Sequence, residues 1–402
     1  MNILIVSTWF ERGASYVSKS YYETFSSDSS NNIYIYARGG EKFEKNNKNW
    51  DFPYVFWNQD RLFDLSPTPI NFKQFSALVY RLKIDLILFN EQQDFISILR
   101  IKKSNPNIKL GAYIDYYKKE TVRLFEIYDF VICNTERHFS AFKDHINPIY
   151  IPWGTDVKEK TVNVVPEKYL FISSVGMNWY RKGLDLLLDG FLGIEKYLLK
   201  KSNIELNIFT QKKLPFEITK KINHLSDVIN IVTKVGDFTQ EEVYEEASIY
   251  CYLSRLDGIG LSLPESIANG CVGFINFEDP MKQFIDVDNS FYVKPSKYKT
   301  RKDLYYWDES EPSINDISHK IKEIINTPLP IIRQMSNNNI KFAQKKLNWI
   351  QNSSDLNFLI SKINTQPVNK KTENLIIQNH KLTKNKLSIK DKIYRIYKNF
   401  TR

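Results

Sequence analysis

Cysteine is scarce: Cys133, Cys251 and Cys271 are the only three among 402 residues, far apart and each inside an apolar run. With no Cys-x-x-Cys pair, neither a disulfide framework nor a structural zinc site is expected, and a reducing cytosol is the natural setting. The five histidines show no ligand spacing, so no metal site is expected either. No window approaches the roughly 18 uninterrupted apolar residues of a membrane-spanning helix. The opening Met1–Ser7 run is too short for a signal-peptide core and lacks a basic leader; it is expected to form a buried first strand. With only 14 Gly and 15 Pro the chain is neither fibrous nor disordered. No Gly-x4-Gly-Lys-Ser/Thr run exists, and no Gly-x-Gly-x-x-Gly follows the first strand. P-loop, kinase and dinucleotide-dehydrogenase readings therefore lose their motifs.

What is present is a chain of 42% hydrophobic and 14% aromatic residues, rich enough for packed cores. It is too long for one core, since cores stop growing near about 250–300 residues. Two domains and an appendage are expected. The net charge of +10 is concentrated at one end. From Gln366 to Arg402, ten Lys or Arg face only Glu373 and Asp391, so that segment carries +8 and the rest of the chain +2. A nucleic-acid groove through the folded body is not supported.

Short apolar runs alternate with helical patterns. Strands are predicted at Asn2–Ser7, Asn32–Tyr36, Asp85–Phe89, Lys109–Ile114, Phe130–Asn134 and Ile149–Ile151, with amphipathic stretches at Val17–Phe25, Phe72–Lys83 and Phe139–Asp144. A second series is predicted at Tyr169–Ser173, Glu205–Thr210, Val228–Val232, Ile249–Leu253 and Val272–Ile275, with helices at Gly183–Lys200, Gln240–Glu246 and Pro264–Asn269. Continuous β-branched runs suit strands buried on both faces, and strand–helix–strand repetition implies parallel, doubly wound sheets. The expected architecture is α/β, with Rossmann-like domains at 1–155 and 168–345 joined by a linker at 156–167 and facing a central cleft. A helix over 346–364 and a polar, basic tail over 365–402 complete the chain. Within that tail, Ile389, Ile393, Ile396, Tyr397 and Phe400 share one helical face, and Lys386, Lys390, Lys392, Arg395, Lys398 and Arg402 fill most of the rest. That pattern is a basic amphipathic helix suited to an anionic membrane surface; a solvated helix docked on the body fits it as well.

The most informative stretch is Ser254-Arg-Leu-Asp-Gly-Ile-Gly-Leu-Ser-Leu-Pro-Glu-Ser-Ile-Ala-Asn-Gly270. Asp257 opens a Gly-x-Gly loop, and Glu265 follows eight positions later at a helix start. Gly258 and Gly260 let backbone approach a ligand, and a first-turn carboxylate can accept hydrogen bonds from ribose-type hydroxyls. An ordinary acidic helix start behind a glycine turn reads the same residues equally well. A second stretch, Phe171-Ile-Ser-Ser-Val-Gly-Met-Asn-Trp-Tyr-Arg-Lys-Gly183, brings Arg181 and Lys182 to a helix entrance. Alone, that pair reads as a solvated basic patch.

Together the two stretches resemble the Glu-x7-Glu region and the Lys-Gly loop of retaining GT-B glycosyltransferases, particularly glycosyltransferase family 4. Gly258, Gly260, Leu261, Glu265, Ala268 and Gly270 match the pattern, whereas Asp257 replaces the first Glu and Ile259 a Phe. Met177 stands where the family often has an Arg, with Arg181 as its expected substitute. The resemblance implies a nucleotide-sugar-dependent hexosyltransferase with its acceptor in the first domain and its donor, UDP- or GDP-linked, in the second. It implies retention of anomeric configuration without metal or other cofactor. Arg181 and Lys182 would hold the diphosphate, Glu265 the ribose, and Asp257 the transferred sugar.

Gly13, in the loop after the first strand, would lie near the donor phosphates. Asp115, where the family usually carries a His, would orient an acceptor hydroxyl, unless it caps the following helix. Asn90, Glu91, Arg137 and His138 end strands on the acceptor side and are further candidates. Pro152-Trp-Gly-Thr-Asp156 resembles the family's linker entry. Asp286-Val-Asp288 spells the metal-binding motif of the other glycosyltransferase fold, but it does not follow a buried strand and reads as turn chemistry. The expected function is transfer to a glycan or lipid-linked glycan in surface polysaccharide synthesis, by a cytoplasmic protein with peripheral membrane association. The alternatives are a non-catalytic GT-B binding or scaffold subunit and a GT-B nucleotide-sugar epimerase.

Overall fold

The structure, a computed structural model of the chain, describes residues 1–38, 44–58, 68 and 70–386. It divides into two compact units: one holds 1–151 and the returning segment from Ser353, the other holds 152–352. Among the described residues no helix is long and apolar enough to cross a membrane.

The first unit is built on parallel strands β1 (Asn2–Ser7), β2 (Asn32–Ala37), β3 (Val55–Trp57), β4 (Leu86–Asn90), β5 (Lys109–Tyr113), β6 (Phe130–Cys133) and β7 (Pro148–Tyr150). Their order is β3-β2-β1-β4-β5-β6-β7, so the winding reverses between β1 and β4. Ile3–Val6 and Leu86–Phe89 are at most 1% exposed, which is why these runs are apolar throughout rather than alternating. The helix over Glu136–Phe142 starts where Thr135 accepts a hydrogen bond from the His138 amide at 3.2 Å.

The second unit repeats the scheme with β8 (Tyr169–Gly176), β9 (Ile204–Thr210), β10 (Asn230–Val235), β11 (Ile249–Tyr252), β12 (Val272–Asn276) and β13 (Phe291–Val293). These are also parallel, in the order β10-β9-β8-β11-β12-β13, and the winding reverses between β8 and β11. Phe171, Leu184, Leu187, Leu188, Phe191, Leu206, Ile208 and Ile317 pack into its core. An antiparallel hairpin of β14 (Pro295–Lys299) and β15 (Glu309–Pro312) is appended.

Several expectations need correction. The predicted helix over 183–200 is two helices, Leu184–Leu192 and Lys196–Lys201, parted at Gly193. The helix predicted at 240–246 is a single turn, Gln240–Val243, held by a Thr239–Glu242 capping box. The predicted helix over 346–364 is also not continuous: the helix of Leu329–Lys346 ends, and Trp349–Asn352 and Leu356–Ser361 follow as separate short helices. The polar start of the tail expected over 365–402 is helical over Lys370–Lys386 and packs against the rest of the first unit, burying Thr372 and Ile376 to 1% exposure each. Its polar surface hid it from periodicity: Thr372 and Ile376 supply buried contacts, and partners such as Lys103, which pairs with Glu373, lie far earlier in the chain. The tail helix expected over 386–402 lies outside the described residues beyond Lys386.

One buried ion pair ties the first unit together. Lys102 donates to the Ile127 carbonyl and to Asp129, both at 2.8 Å, and the pair is 4% and 0% exposed. Asp129 also accepts from the Leu110 amide at 2.7 Å and from the Gln366 amide at 2.6 Å, so it anchors the returning segment. Lys102→Met would strand a buried carboxylate, and losing one partner of such a pair costs about 3–5 kcal/mol. A lower denaturation midpoint in urea is the expected result; an unchanged midpoint would show that Asp129 is satisfied by backbone alone.

Candidate functional site

In doubly wound sheets, ligands bind beyond the carboxyl ends of the strands where the winding reverses. In the second unit that place lies between β8 and β11. The loop after β8 and the loop after β11 lie against each other there. Gly183 makes this possible: its φ is +72°, and a Cβ would come 2.1 Å from the Leu253 carbonyl oxygen. Backbone then joins the loops directly, the Arg255 amide donating to the Arg181 carbonyl at 2.8 Å.

This contact brings two neighbouring cations onto one carboxylate. Arg181 Nη1 donates to Asp257 Oδ1 and to the Leu256 carbonyl, the latter at 2.8 Å. Lys182 Nζ lies 2.9 Å from Asp257 Oδ2. The same oxygen accepts from the Tyr252 hydroxyl at 2.7 Å and the Ser254 hydroxyl at 2.8 Å. Lys182 also sits 4.3 Å from the Tyr252 ring centroid, a cation–π contact. Gly260, with φ +88°, turns the loop where a Cβ would press to 3.0 Å from the Tyr252 hydroxyl. The Asp257, Lys182 and Arg181 side chains are 10%, 14% and 30% exposed, so the arginine is the most open of the three.

The electrostatics follow from burial and pairing. Burial alone would raise the Asp257 carboxyl, but Arg181 and Lys182 hold it well below the usual carboxylate range. Burial pulls Lys182 down to about 8, although Asp257 opposes this. Tyr252 is pushed far up by burial and by Asp257. Glu265, in the first turn of the helix over Ser262–Ala268, lies 3.1 Å from the Tyr244 hydroxyl. Burial pushes it up to about 7, with Tyr244 and Lys182 drawing it back. Two cations facing one carboxylate leave a partly desolvated site with one net positive charge, able to take an anion bearing several oxygens.

Of the residues singled out in the sequence, Arg181, Lys182 and Asp257 are in direct contact, with Gly258, Gly260 and Leu261 in the loop that carries Asp257; Glu265 faces Tyr244. In the first unit, His138 Nε2 lies 3.8 Å from Asp115 Oδ1, and the Tyr117 ring meets His138 edge-on. The next helical turn begins only at Val122, so Asp115 does not cap it. Arg137 is buried, 7% exposed, beside His138. Asn90 Nδ2 donates to the Ala14 carbonyl at 2.7 Å and Ser18 Oγ at 2.5 Å, pinning the helix that Gly13 begins, while its buried Oδ1 has no hydrogen-bond partner among the described residues. Glu91 follows with a φ of +48°. Asp286 closes a local turn, accepting from the Asp288 amide at 3.2 Å and Asn289 Nδ2 at 2.7 Å.

Tyr252, Ser254 and Tyr244 were not singled out. Tyr252 lies in the strand predicted at Ile249–Leu253 and Ser254 directly follows it, and that position was the available signal. Nothing in the sequence marks Tyr244.

These two units give the chain the GT-B fold. No protein-family profile and no curated sequence matches it. Solved structures do. Sucrose-phosphate synthase from Thermosynechococcus elongatus superposes with a TM-score of 0.64 at 13% identity, over 90% of this chain and 98% of that one. An E. coli trehalose-6-phosphate structure bound with UDP-2-fluoro glucose gives 0.61 at 11%, over 91% and 100%. Anabaena HepE in complex with UDP-glucose gives 0.57 at 12%, over 90% and 100%. At such identities the likeness is one of fold.

The Glu265 shift has a consequence for stability. Raised from 4.5 to about 7, this group binds its proton more tightly in the folded chain than in the unfolded one. Its stabilising contribution is present below pH 4.5 and is lost as pH rises through about 7. Subtracting the Glu265→Gln unfolding profile from that of the native chain should leave a midpoint that falls across this window. A flat difference would mean that Glu265 titrates normally.

Proposed function

We propose that this chain is a nucleotide-sugar-dependent glycosyltransferase, retaining and metal-independent. In this reading it moves a hexose-type sugar from a UDP- or GDP-linked donor to a glycan or lipid-linked glycan of a surface polysaccharide. The observation that carries the reading is the convergence of Arg181 and Lys182 on Asp257 at the winding reversal of the second unit. The UDP-glucose and UDP-2-fluoro glucose complexes among the similar structures support the donor class.

The bond between the anomeric carbon and the diphosphate oxygen breaks as the acceptor hydroxyl adds on the same face, and the hydroxyl's proton passes to the departing diphosphate. Arg181 and Lys182 stabilise the charge that develops on that leaving group, as fixed cations in a dry site do. Asp257 already accepts from Arg181, Lys182, Tyr252 and Ser254. Its part is to hold the cations in place before the donor arrives, and with its Oδ1 to orient the transferred sugar. Glu265 receives the ribose, and Asp115 orients the acceptor hydroxyl.

Thermal unfolding with a panel of nucleoside diphosphates and their sugars tests the donor class. A ligand at a hundred times its Kd adds about 2.7 kcal/mol, which should raise the midpoint by several degrees for one base and not for others. No shift with any of them would favour a non-catalytic binding role. Product anomers read by NMR should be retained; inverted anomers would overturn the mechanism.

The membrane part rests on the basic tail. Its cations contribute about 1 kcal/mol each near an anionic leaflet. Because Lys370–Lys386 packs on the first unit, the cut belongs after it. Removing residues 387–402 should abolish pelleting with phosphatidylserine vesicles, and undiminished pelleting would contradict the membrane role.

A further inference from the structure

Arg255 lies beside the cation pair yet points away from it. Its side chain is only 3% exposed and meets three separate segments. It forms a two-pronged bridge to Asp185, Nη1 to Oδ1 at 2.8 Å and Nη2 to Oδ2 at 2.7 Å, at the start of the helix that follows Lys182 and Gly183. Nη1 also donates to the Tyr180 carbonyl, inside the loop that carries Arg181 and Lys182. Nε donates to Glu311 on β15 of the hairpin at 2.5 Å. The Tyr180 ring covers the guanidinium, 3.9 Å from its carbon to the ring centroid.

Its backbone is equally engaged. The amide donates to the Arg181 carbonyl at 2.8 Å, and the carbonyl accepts from the Ser310 amide at 2.9 Å. Nearby, the buried Asn276 side chain donates to the Ser254 carbonyl and the Ser310 carbonyl, both at 3.1 Å. The loop after β8, the loop after β11 and the hairpin are thus tied at one residue, two positions from Asp257.

We propose that Arg255 is the positioning residue of the anion site. Together with the Glu311 of the hairpin, it fixes the backbone from which Arg181 and Lys182 reach toward a diphosphate. Without this brace the two cations would keep their charge but lose their common aim. Lysine cannot replace it, because one ammonium cannot form the fork to Asp185 while also serving Tyr180 and Glu311. The hairpin thereby supports the donor site through Arg255. This inference rests on the glycosyltransferase reading and deepens it.

The test compares Arg255→Lys, Glu311→Gln and a core variant that makes no contact with Arg255's hydrogen-bonding groups, Ile317→Ala, with the native chain. The readouts are nucleoside diphosphate affinity by calorimetry, well below each melting temperature, and donor and acceptor KM alongside kcat. Arg255→Lys should weaken the diphosphate at least about tenfold, raise donor KM and lower kcat, a misplaced group of this kind costing up to roughly a hundredfold. Acceptor KM should stay unchanged. Glu311→Gln, whose side chain is 30% exposed, should show a smaller loss in the same direction and remains informative if Arg255→Lys does not fold. Ile317→Ala should lower the melting temperature and leave affinity intact. Native affinity in both Arg255→Lys and Glu311→Gln would overturn the positioning role alone. Absence of binding by the native chain to every nucleoside diphosphate would overturn the glycosyltransferase reading, and this inference with it.

Discussion

The candidate site of the second unit depends on the Asp257 carboxylate. Placing Arg181 and Lys182 side by side among apolar and aromatic groups is unfavourable, because each cation loses hydration and repels the other. Asp257 offsets both costs by sitting between them, and Tyr252 and Ser254 also donate to its Oδ2. A carboxylate shared in this way holds the cations in one arrangement while leaving net positive charge for an incoming anion. It is one methylene shorter than the Glu of the family pattern and still reaches both.

Each unit contains a lysine and an aspartate in contact, and the differences between the pairs separate structure from function. Lys102 and Asp129 lie inside the first unit, with exposures of 4% and 0%, and backbone amides take the rest of the aspartate's capacity. That pair fastens the returning segment to the sheet. Lys182 and Asp257 lie beyond the strand ends, beside an arginine that is 30% exposed. Their position depends on a glycine at residue 183 that accepts a left-handed backbone and on an arginine at 255 that ties three segments together. The first pair is closed to ligands, whereas the second is open on the arginine side.

Much of this was legible in the sequence. Strands such as Ile3–Val6 and Val272–Ile275 announce themselves because both faces are buried and no polar residue interrupts them. The spacing from Asp257 to Glu265, and the glycines between, placed the loop and helix of the site before any contact was visible. Other features depend on distant partners and leave no local trace. Edge strands Val55–Trp57 and Phe291–Val293 are three residues long, a length at which an apolar run is ambiguous, although the equally short Pro148–Tyr150 falls on the run predicted at Ile149–Ile151. Nothing local distinguishes Arg255 as a brace from Arg255 as a surface charge, since its partners lie 56 and 70 residues away. The helix of Lys370–Lys386 is polar on most sides, and its docking rests on Thr372, Ile376 and contacts to residues far earlier in the chain.

Arg181 and Lys182, held by Asp257, are proposed to form a diphosphate-binding pair. Calorimetric titration of nucleoside diphosphates into Lys182→Ala and Arg181→Ala, beside the native chain, tests this claim most directly. Losing a charge-assisted hydrogen bond of about 1.5–3 kcal/mol should weaken the preferred nucleotide by roughly 10- to 100-fold in each variant. Native-like affinity in both variants would contradict the claim and place the anion elsewhere.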